Sequence, residues 1–185
     1  MFESDQFIAE CRAAAANDSS HKAIADVVER AVSLPSEVLK GLGEPERAGV
    51  FELYRSDELT VLNVVWGPMM TLMPHNHEMW AVIGIYTGRE DNIFWRRITD
   101  GDGEENGGRI EAAGARSLGL RDSTPLGRDI IHSVTNPIPR LTGAIHVYGG
   151  DFFGVARSEW DAESLLERPY DVEKNMRLFE ESNAR

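Results

Sequence analysis

The stretch Pro74-His75-Asn76-His77-Glu78-Met79-Trp80 decides the fold of this chain. It sets two histidines, one residue apart, between two apolar runs at residues 59–66 and 80–86. Apolar runs of this length, bounded by turn-forming residues, predict buried strands. Because alternate side chains of a strand share a face, the sequence predicts that His75 and His77 aim both imidazoles at one point.

A third histidine, His132, follows the short apolar segment Ile130-Ile131 and is expected on another strand. A pair with the spacing of His75 and His77 is often just two surface histidines. Here the flanking apolar runs indicate a buried location, where polar side chains need partners. Three of the five histidines of the chain therefore predict a metal site built on strands.

Length and charge limit the classes of function. The 185 residues suit one domain, 1–185, with a core large enough to enclose a small cavity. The formal net charge of -12 argues against nucleic acid or an anionic membrane as a partner, and an anionic substrate would need a local cation. No apolar stretch approaches the length that spans a membrane, and acidic residues stand where a secretory signal would be basic, so we expect a cytoplasmic protein.

The single cysteine, Cys11, excludes an intrachain disulfide. It shares a helical stripe with Phe7, Ile8 and Ala14. We therefore interpret Cys11 as a small hydrophobic residue of the core and not as a nucleophile.

Periodicity divides the chain into three zones. Residues 1–45 form a helical lead-in, residues 50–155 alternate short apolar runs with turns, and residues 158–185 return to a helical pattern. The middle zone is typical of an all-β sandwich or barrel. We expect the helices to cover the outside of its sheets.

Four local features refine this division. Residues 54–59 predict a hairpin, and residues 87–92 predict a turn between two strands. The glycine-rich residues 100–108 lack the spacing of a calcium loop and predict a solvated hairpin tip. Residues 158–161 resemble the capped start of the last helix.

These blocks resemble the cupin superfamily and, within it, the thiol dioxygenases of the cysteine dioxygenase type. The resemblance spans most of the chain, and its specific blocks are Val65-Trp66-Gly67, the pair His75 and His77, His132-Ser133-Val134-Thr135-Asn136 and Ile145-His146-Val147-Tyr148-Gly149. It implies a double-stranded β-helix, which is a jelly-roll barrel, with N-terminal helices and a C-terminal helix. It also implies Fe(II) as cofactor, with Ni, Mn or Zn as alternatives, and a small thiol and O2 as substrates.

The resemblance assigns the iron ligands to His75, His77 and His132. It assigns an outer group, a Ser-His-Tyr series in the family, to Ala144, His146 and Tyr148. Of these, His146 and Tyr148 are the candidate catalytic residues.

The chain departs from this family in two places. Ala144 has no hydroxyl, so another group would have to orient His146. The cysteine that is cross-linked to the active-site tyrosine in mammalian-type members is absent, since Ala81 and Val82 stand nearby and Cys11 is the only thiol. The second departure is similar to bacterial members.

A glutamate ligand occurs in the general cupin pattern, and Glu78 is its candidate here. In a regular strand Glu78 would point away from an ion bound by His77, unless a bulge turned it inward. Three neutral imidazoles would leave the charge of a divalent ion uncompensated, which favours capture of a thiolate. The predicted reaction is oxygen insertion at sulfur to give a sulfinate.

An arginine is expected to bind a substrate carboxylate bidentately. Arg55, Arg96 and Arg97 are the candidates, of which Arg55 lies near the region from which the family supplies such a residue. Trp66 and Trp80 are expected to wall the pocket, although aromatic residues in such runs are usually core.

Three alternatives stay open at this stage. A different cupin reaction, such as dioxygen cleavage of an enediol or an isomerisation, would use nickel, manganese or zinc. A non-catalytic cupin would bind a small ligand. The third alternative concerns His146 and Tyr148 alone, as a buried polar pair whose members satisfy each other. The sequence leaves the oligomeric state open.

Overall fold

The structure is a computed structural model that describes residues 2–18, 20–99 and 105–184. Its helices are α1 (Ser4–Asn17), α2 (His21–Val32), α3 (Pro35–Leu42) and α4 (Val172–Asn183). Its strands are β1 (Gly49–Arg55), β2 (Thr60–Trp66), β3 (Thr71–Asn76), β4 (Ala81–Thr87), β5 (Glu90–Thr99), β6 (Glu105–Leu118), β7 (Ser123–Leu126), β8 (Ile131–Thr135), β9 (Thr142–Tyr148), β10 (Ser158–Trp160) and β11 (Glu167–Pro169).

The strands form two sheets, with antiparallel pairing throughout the described residues. One sheet has the order β1-β2-β9-β4-β7 and the other the order β11-β10-β3-β8-β5-β6. From β2 to β9 the chain changes sheet at every connection except the β5–β6 hairpin. This is the strand order of a jelly roll, or double-stranded β-helix, so the predicted all-β fold is confirmed.

The three central strands of the first sheet, β2, β9 and β4, are buried on both faces. In β9, Ala144 and Tyr148 face the space between the sheets, whereas Ile145 and Val147 face the helices. This alternation follows from the two-residue period of a strand. Two covered faces explain why these strands appear in the sequence as continuous apolar runs.

The helices α1, α2 and α3 cover the outer face of the first sheet, as predicted. Gly84 in β4 allows the close approach of α2, since a Cβ atom there would lie 2.6 Å from Val28 Cγ1 and 2.8 Å from Val32 Cγ1. At one end of the barrel Phe179 of α4 packs on Trp66, with ring centroids 5.3 Å apart. Among the described residues, no helix is sufficiently long and apolar to cross a bilayer.

Two local predictions are wrong. Residues 158–161 do not start a helix, because Ser158–Trp160 is the strand β10, which pairs with β3 and β11, and α4 begins only at Val172. The turn after β4 is shorter than residues 87–92, because β5 begins at Glu90. The predicted hairpin tip at residues 100–108 lies outside the described residues up to residue 104, and from Glu105 the chain is in β6.

Cys11 lies in the apolar cluster between the helices and the first sheet and is fully buried. Burial raises the pKa of its thiol to about 12. Because the thiolate is the reactive form, we expect an alkylating reagent at pH 8 to label Cys11 only after unfolding. Mass spectrometry across a urea titration should show labelling that follows the loss of circular dichroism. Rapid labelling of the folded protein would contradict the described packing of α1.

Candidate metal centre

Three histidines converge between the two sheets. His75 in β3 stands directly opposite His132 in β8, and His77 follows the end of β3. Their candidate ligand nitrogens all lie within 4.8 Å of one another. The Nε2 atoms of His77 and His132 are 3.2 Å apart. The structure thus brings together the three histidines that the sequence singled out.

A β-bulge in β3 produces this convergence. The partners of Leu72 and His75 are Val134 and His132, so three steps along β3 match two steps along β8. Pro74 lies within this bulge and has no backbone N–H to donate to the ladder. The extra residue lets Leu72 and His75 line the same cavity, although their odd spacing would place them on opposite faces of a regular strand.

Burial keeps the three imidazoles neutral, the form in which histidine binds metals. The pKa of His75 is lowered to about 4, mainly because burial disfavours its charged form. Burial lowers the pKa values of His77 and His132 well below the ordinary value, and repulsion by neighbouring histidines adds to it. All three side chains therefore have a ring nitrogen lone pair to offer.

Hydrogen bonds fix which nitrogen faces the centre of the cluster. The Nδ1 atom of His75 is 2.9 Å from the carbonyl oxygen of Met73, and Nδ1 of His132 is 2.7 Å from Asn92 Oδ1. Both partners accept, so each Nδ1 donates and each Nε2 keeps its lone pair. Such outer partners are typical of metal-binding histidines. His77 Nδ1 has no hydrogen-bond partner among the described residues. This donor set fits a divalent metal ion.

Glu78 does not join the cluster in the described part of the chain. Its backbone has a φ of 57°, and its Oε1 accepts a 2.6 Å hydrogen bond from Asn76 Nδ2. The carboxylate lines an outer depression with Arg157 and Arg168 instead of the space beside the histidines. The candidate ligands are therefore three imidazoles without a carboxylate.

A small, mostly apolar cavity adjoins the histidines. Its volume, counted as space open to the centre of a water molecule, is about 30 Å³. Besides the three histidines, its walls include Leu62, Trp66, His146, Tyr148, Phe152, Tyr170, Met176 and Phe179. No acidic side chain of the described residues lines it. The cavity suits a ligand of a few heavy atoms.

His146 and Tyr148 form a pair at the cavity wall. His146 Nδ1 is 2.9 Å from the Tyr148 hydroxyl, and the Tyr148 ring lies 5.1 Å from the ring of His77. Burial raises the pKa of the Tyr148 phenol, so it keeps its proton. Ala144, on the same face of β9, offers no hydrogen bond to this pair.

Two polar residues behind the cluster were missed by the sequence prediction. Glu90 is fully buried and accepts hydrogen bonds from Trp66 Nε1 at 2.8 Å and from Asn92 Nδ2 at 3.0 Å. Asn92 in turn contacts His132. The prediction assigned both residues to a turn, because Glu90-Asp91-Asn92 is a run of polar residues without the alternation that indicates a strand.

Arg157 is a further residue that the sequence did not indicate. It is 8% exposed, and its guanidinium carbon lies 3.9 Å from the ring centroid of Phe152 and 4.2 Å from that of Tyr170. Its Nη1 donates to the carbonyl oxygen of Phe152, and its buried Nε has no partner. Among the described residues it forms no ion pair with a carboxylate. Arg157 thus places a positive charge against two rings that wall the cavity.

The predicted substrate-binding residues are distributed differently. Trp66 lines the cavity, whereas Trp80 lines a surface groove beside α1. Arg55 forms a bidentate ion pair with Asp151, with distances of 2.7 and 2.8 Å. The other two arginine candidates are also paired, Arg96 with Glu111 and Arg97 with Glu167. The structure therefore does not bring Arg55, Arg96, Arg97 or Trp80 to the histidine cluster.

Replacement of a ligand should abolish metal binding. We expect His132→Ala to lower the bound metal from about one ion per chain to a small fraction, because two imidazoles bind a divalent ion far more weakly than three. Elemental analysis after Fe(II) or Zn(II) loading measures this. His21→Ala, which removes a histidine outside the cluster, is the control. Full metal occupancy in His132→Ala would contradict the ligand assignment.

No protein-family model matches the chain. Among solved structures it is similar to an RmlC-like cupin family protein from Methanocaldococcus jannaschii, with 8% identity, a TM-score of 0.46 and coverage of 60% of this chain and 86% of that one. It is also similar to a Klebsiella pneumoniae protein with a double-stranded β-helix domain, with 12% identity, a TM-score of 0.43 and coverage of 58% and 78%.

A third similar structure is the Bacillus subtilis oxalate decarboxylase, which has Mn(II) centres. The identity is 16% and the TM-score 0.39, over 52% of this chain but only 22% of the decarboxylase. The likeness in all three cases concerns the fold alone. The chain has the cupin-type double-stranded β-helix, a conclusion that rests on its own strand order.

Proposed function

We propose that the protein is a non-haem iron-dependent dioxygenase that oxidises a small thiol to its sulfinate. The observation that carries this proposal is the convergence of three neutral imidazoles, without a carboxylate, beside a small cavity. The overall reaction inserts both atoms of O2 at the sulfur, so that RSH and O2 together give RSO2H. No further oxidant or reductant is consumed.

The all-imidazole ligand set favours an anionic sulfur ligand. Neutral ligands leave the charge of a divalent ion uncompensated, and that charge lowers the pKa of a thiol. Fe(II) in this position would supply an affinity for thiolate and the electrons that activate O2. His75, His77 and His132 would hold it, and three protein ligands would leave further coordination positions free for substrate and O2.

The position of Glu78 weighs against the other cupin reactions. A Glu78 ligand would favour an enediol dioxygenase or an isomerase that uses nickel, manganese or zinc, because a carboxylate cancels part of the ion's charge that attracts a thiolate. The Glu78 carboxylate instead accepts from Asn76 and faces an outer depression.

Tyr148 is suited to contact the substrate directly. Its hydroxyl is held by His146 at the cavity wall, and its ring packs at 5.1 Å from that of His77. A buried phenol that keeps its proton provides a neutral hydrogen-bonding group and adds no further charge. We expect Tyr148 to orient a polar atom of the bound thiol, with His146 as the residue that aims the phenol.

Arg157 is the residue that fits a substrate carboxylate. The guanidinium is stacked on Phe152 and Tyr170, two walls of the cavity, and no described carboxylate lies within ion-pair distance of it. Arg157 itself lines the outer depression, beside Glu78 and Glu167. A local cation of this kind is required if a protein with a net charge of -12 is to bind an anion. The described cavity walls offer no carboxylate to an ammonium group. The substrate best supported is therefore a mercapto-carboxylate of the 3-mercaptopropionate type, ahead of cysteine.

The reaction itself is tested with an oxygen electrode. We expect Fe(II)-loaded protein to consume O2 fastest with 3-mercaptopropionate, more slowly with cysteine and slowest with cysteamine, which lacks a carboxylate. Mass spectrometry should identify the sulfinate. If none of these thiols supports O2 uptake by protein that contains iron, the proposed function is wrong.

The role of Arg157 is tested by substitution. We expect Arg157→Met to lower kcat/KM for 3-mercaptopropionate by about 10–100-fold, because a hydrogen bond to a charged group contributes about 1.5–3 kcal/mol. The rate with cysteamine should change little. Arg89→Met, which removes an arginine from an exposed ion pair with Asp91, is the control. An equal loss for both thiols in Arg157→Met would indicate a structural role only.

A further inference from the structure

Glu90 is a buried carboxylate that the proposed reaction does not use directly. It is fully buried, and within the described chain its carboxylate contacts no lysine or arginine. Three nitrogens surround it: Trp66 Nε1 at 2.8 Å, Asn92 Nδ2 at 3.0 Å and His146 Nε2 at 3.6 Å. A buried carboxylate without a cationic partner is costly, so its position requires an explanation.

One oxygen of Glu90 determines the orientation of the Asn92 side-chain amide. A carboxylate only accepts hydrogen bonds, so the Asn92 side chain must present its NH2 group to Glu90 Oε1. The Asn92 oxygen then faces His132 Nδ1, at 2.7 Å. That nitrogen must carry the proton, which leaves His132 Nε2 with its lone pair toward His75 and His77.

The other oxygen of Glu90 lies behind the pair at the cavity wall. Glu90 Oε2 accepts from the Trp66 indole and lies 3.6 Å from His146 Nε2, a nitrogen that has no hydrogen-bond partner in the described chain. The opposite ring nitrogen of His146 contacts the Tyr148 hydroxyl.

We propose that Glu90 is a positioning residue that holds His132 in its metal-binding tautomer through Asn92. This inference rests on the proposed metal centre but is independent of the thiol reaction. Glu90 touches no metal ligand and does not line the cavity. Glu90 would affect metal binding through the direction of two hydrogen bonds, the one from Asn92 to Glu90 and the one from His132 to Asn92.

The substitution Glu90→Gln should reverse that direction. An indole N–H can only donate, so the amide oxygen of Gln must face Trp66, and its NH2 group must face Asn92. Two NH2 groups cannot bond to each other, so Asn92 turns over and presents its own NH2 to His132 Nδ1. His132 then protonates at Nε2 and loses the lone pair that faces the centre.

The tautomer is measured on metal-free protein. Two-bond 1H–15N correlation spectra of the histidine rings should show His132 protonated at Nδ1 in the wild type and at Nε2 in Glu90→Gln. The metal-loaded state gives a second readout. By titration calorimetry, Zn(II) affinity should fall by about 10–100-fold, as is typical when an outer partner of a ligand is lost.

A double variant separates this effect from simple destabilisation. Glu90→Gln combined with Asn92→Asp exchanges the amide and the carboxylate, so the amide NH2 of residue 90 donates to the carboxylate of residue 92, which accepts from His132 Nδ1. We expect the double variant to restore both the wild-type tautomer and the Zn(II) affinity to within a few-fold. Glu111→Gln, the same change in an exposed ion pair with Arg96, should alter neither quantity.

The outcomes distinguish the two proposals. If Glu90→Gln keeps His132 protonated at Nδ1, or if the double variant fails to restore that tautomer, the inference about Glu90 is overturned even when the wild type binds metal. If the tautomer and the Zn(II) affinity change and return as described but Fe(II)-loaded wild-type protein consumes no O2 with any thiol, the inference about Glu90 stands and the proposed function fails. If the wild-type protein binds no metal, both proposals fail.

Discussion

The bulge in β3 is the constraint on which the rest of the site depends. It adds one residue between Leu72 and His75, so that both face inward and His75 stands opposite His132. A register slip of one residue would turn every side chain of β3 to its other face. Only this alignment brings His75 next to the third histidine, the cavity walls and the polar residues behind them. The bulge occurs at Pro74, which cannot complete a regular ladder.

Much of the fold could be predicted because local patterns and tertiary contacts agree. Two-sided burial makes strands such as β2 and β4 continuous apolar runs, and α2 shows a regular apolar stripe. Prediction failed at β10, whose three residues, Ser158–Trp160, include a buried glutamate and carry a capping-like pattern. That segment is a strand because β3 and β11 lie beside it, and no local sequence signal encodes those neighbours.

The site was predictable only in part, for a similar reason. Close spacing and apolar flanks indicate His75 and His77, but a polar residue in a turn-like segment gives no sign that it is buried. Glu90 and Asn92 therefore looked like turn residues, although both are almost wholly enclosed. Arg157 lies between β9 and β10, in a segment without a periodic pattern. Only the tertiary structure brings its guanidinium onto the rings of Phe152 and Tyr170.

The location of Cys11 affects the resistance of the protein to oxidation. Its sulfur packs on the helix-covered side of the first sheet, while the histidines lie between the two sheets, so a layer of β-structure separates them. An enzyme that adds oxygen to sulfur generates conditions that can damage its own thiols. If the proposed function is correct, the single cysteine, held protonated behind that layer, would not be an accessible thiol for such side reactions.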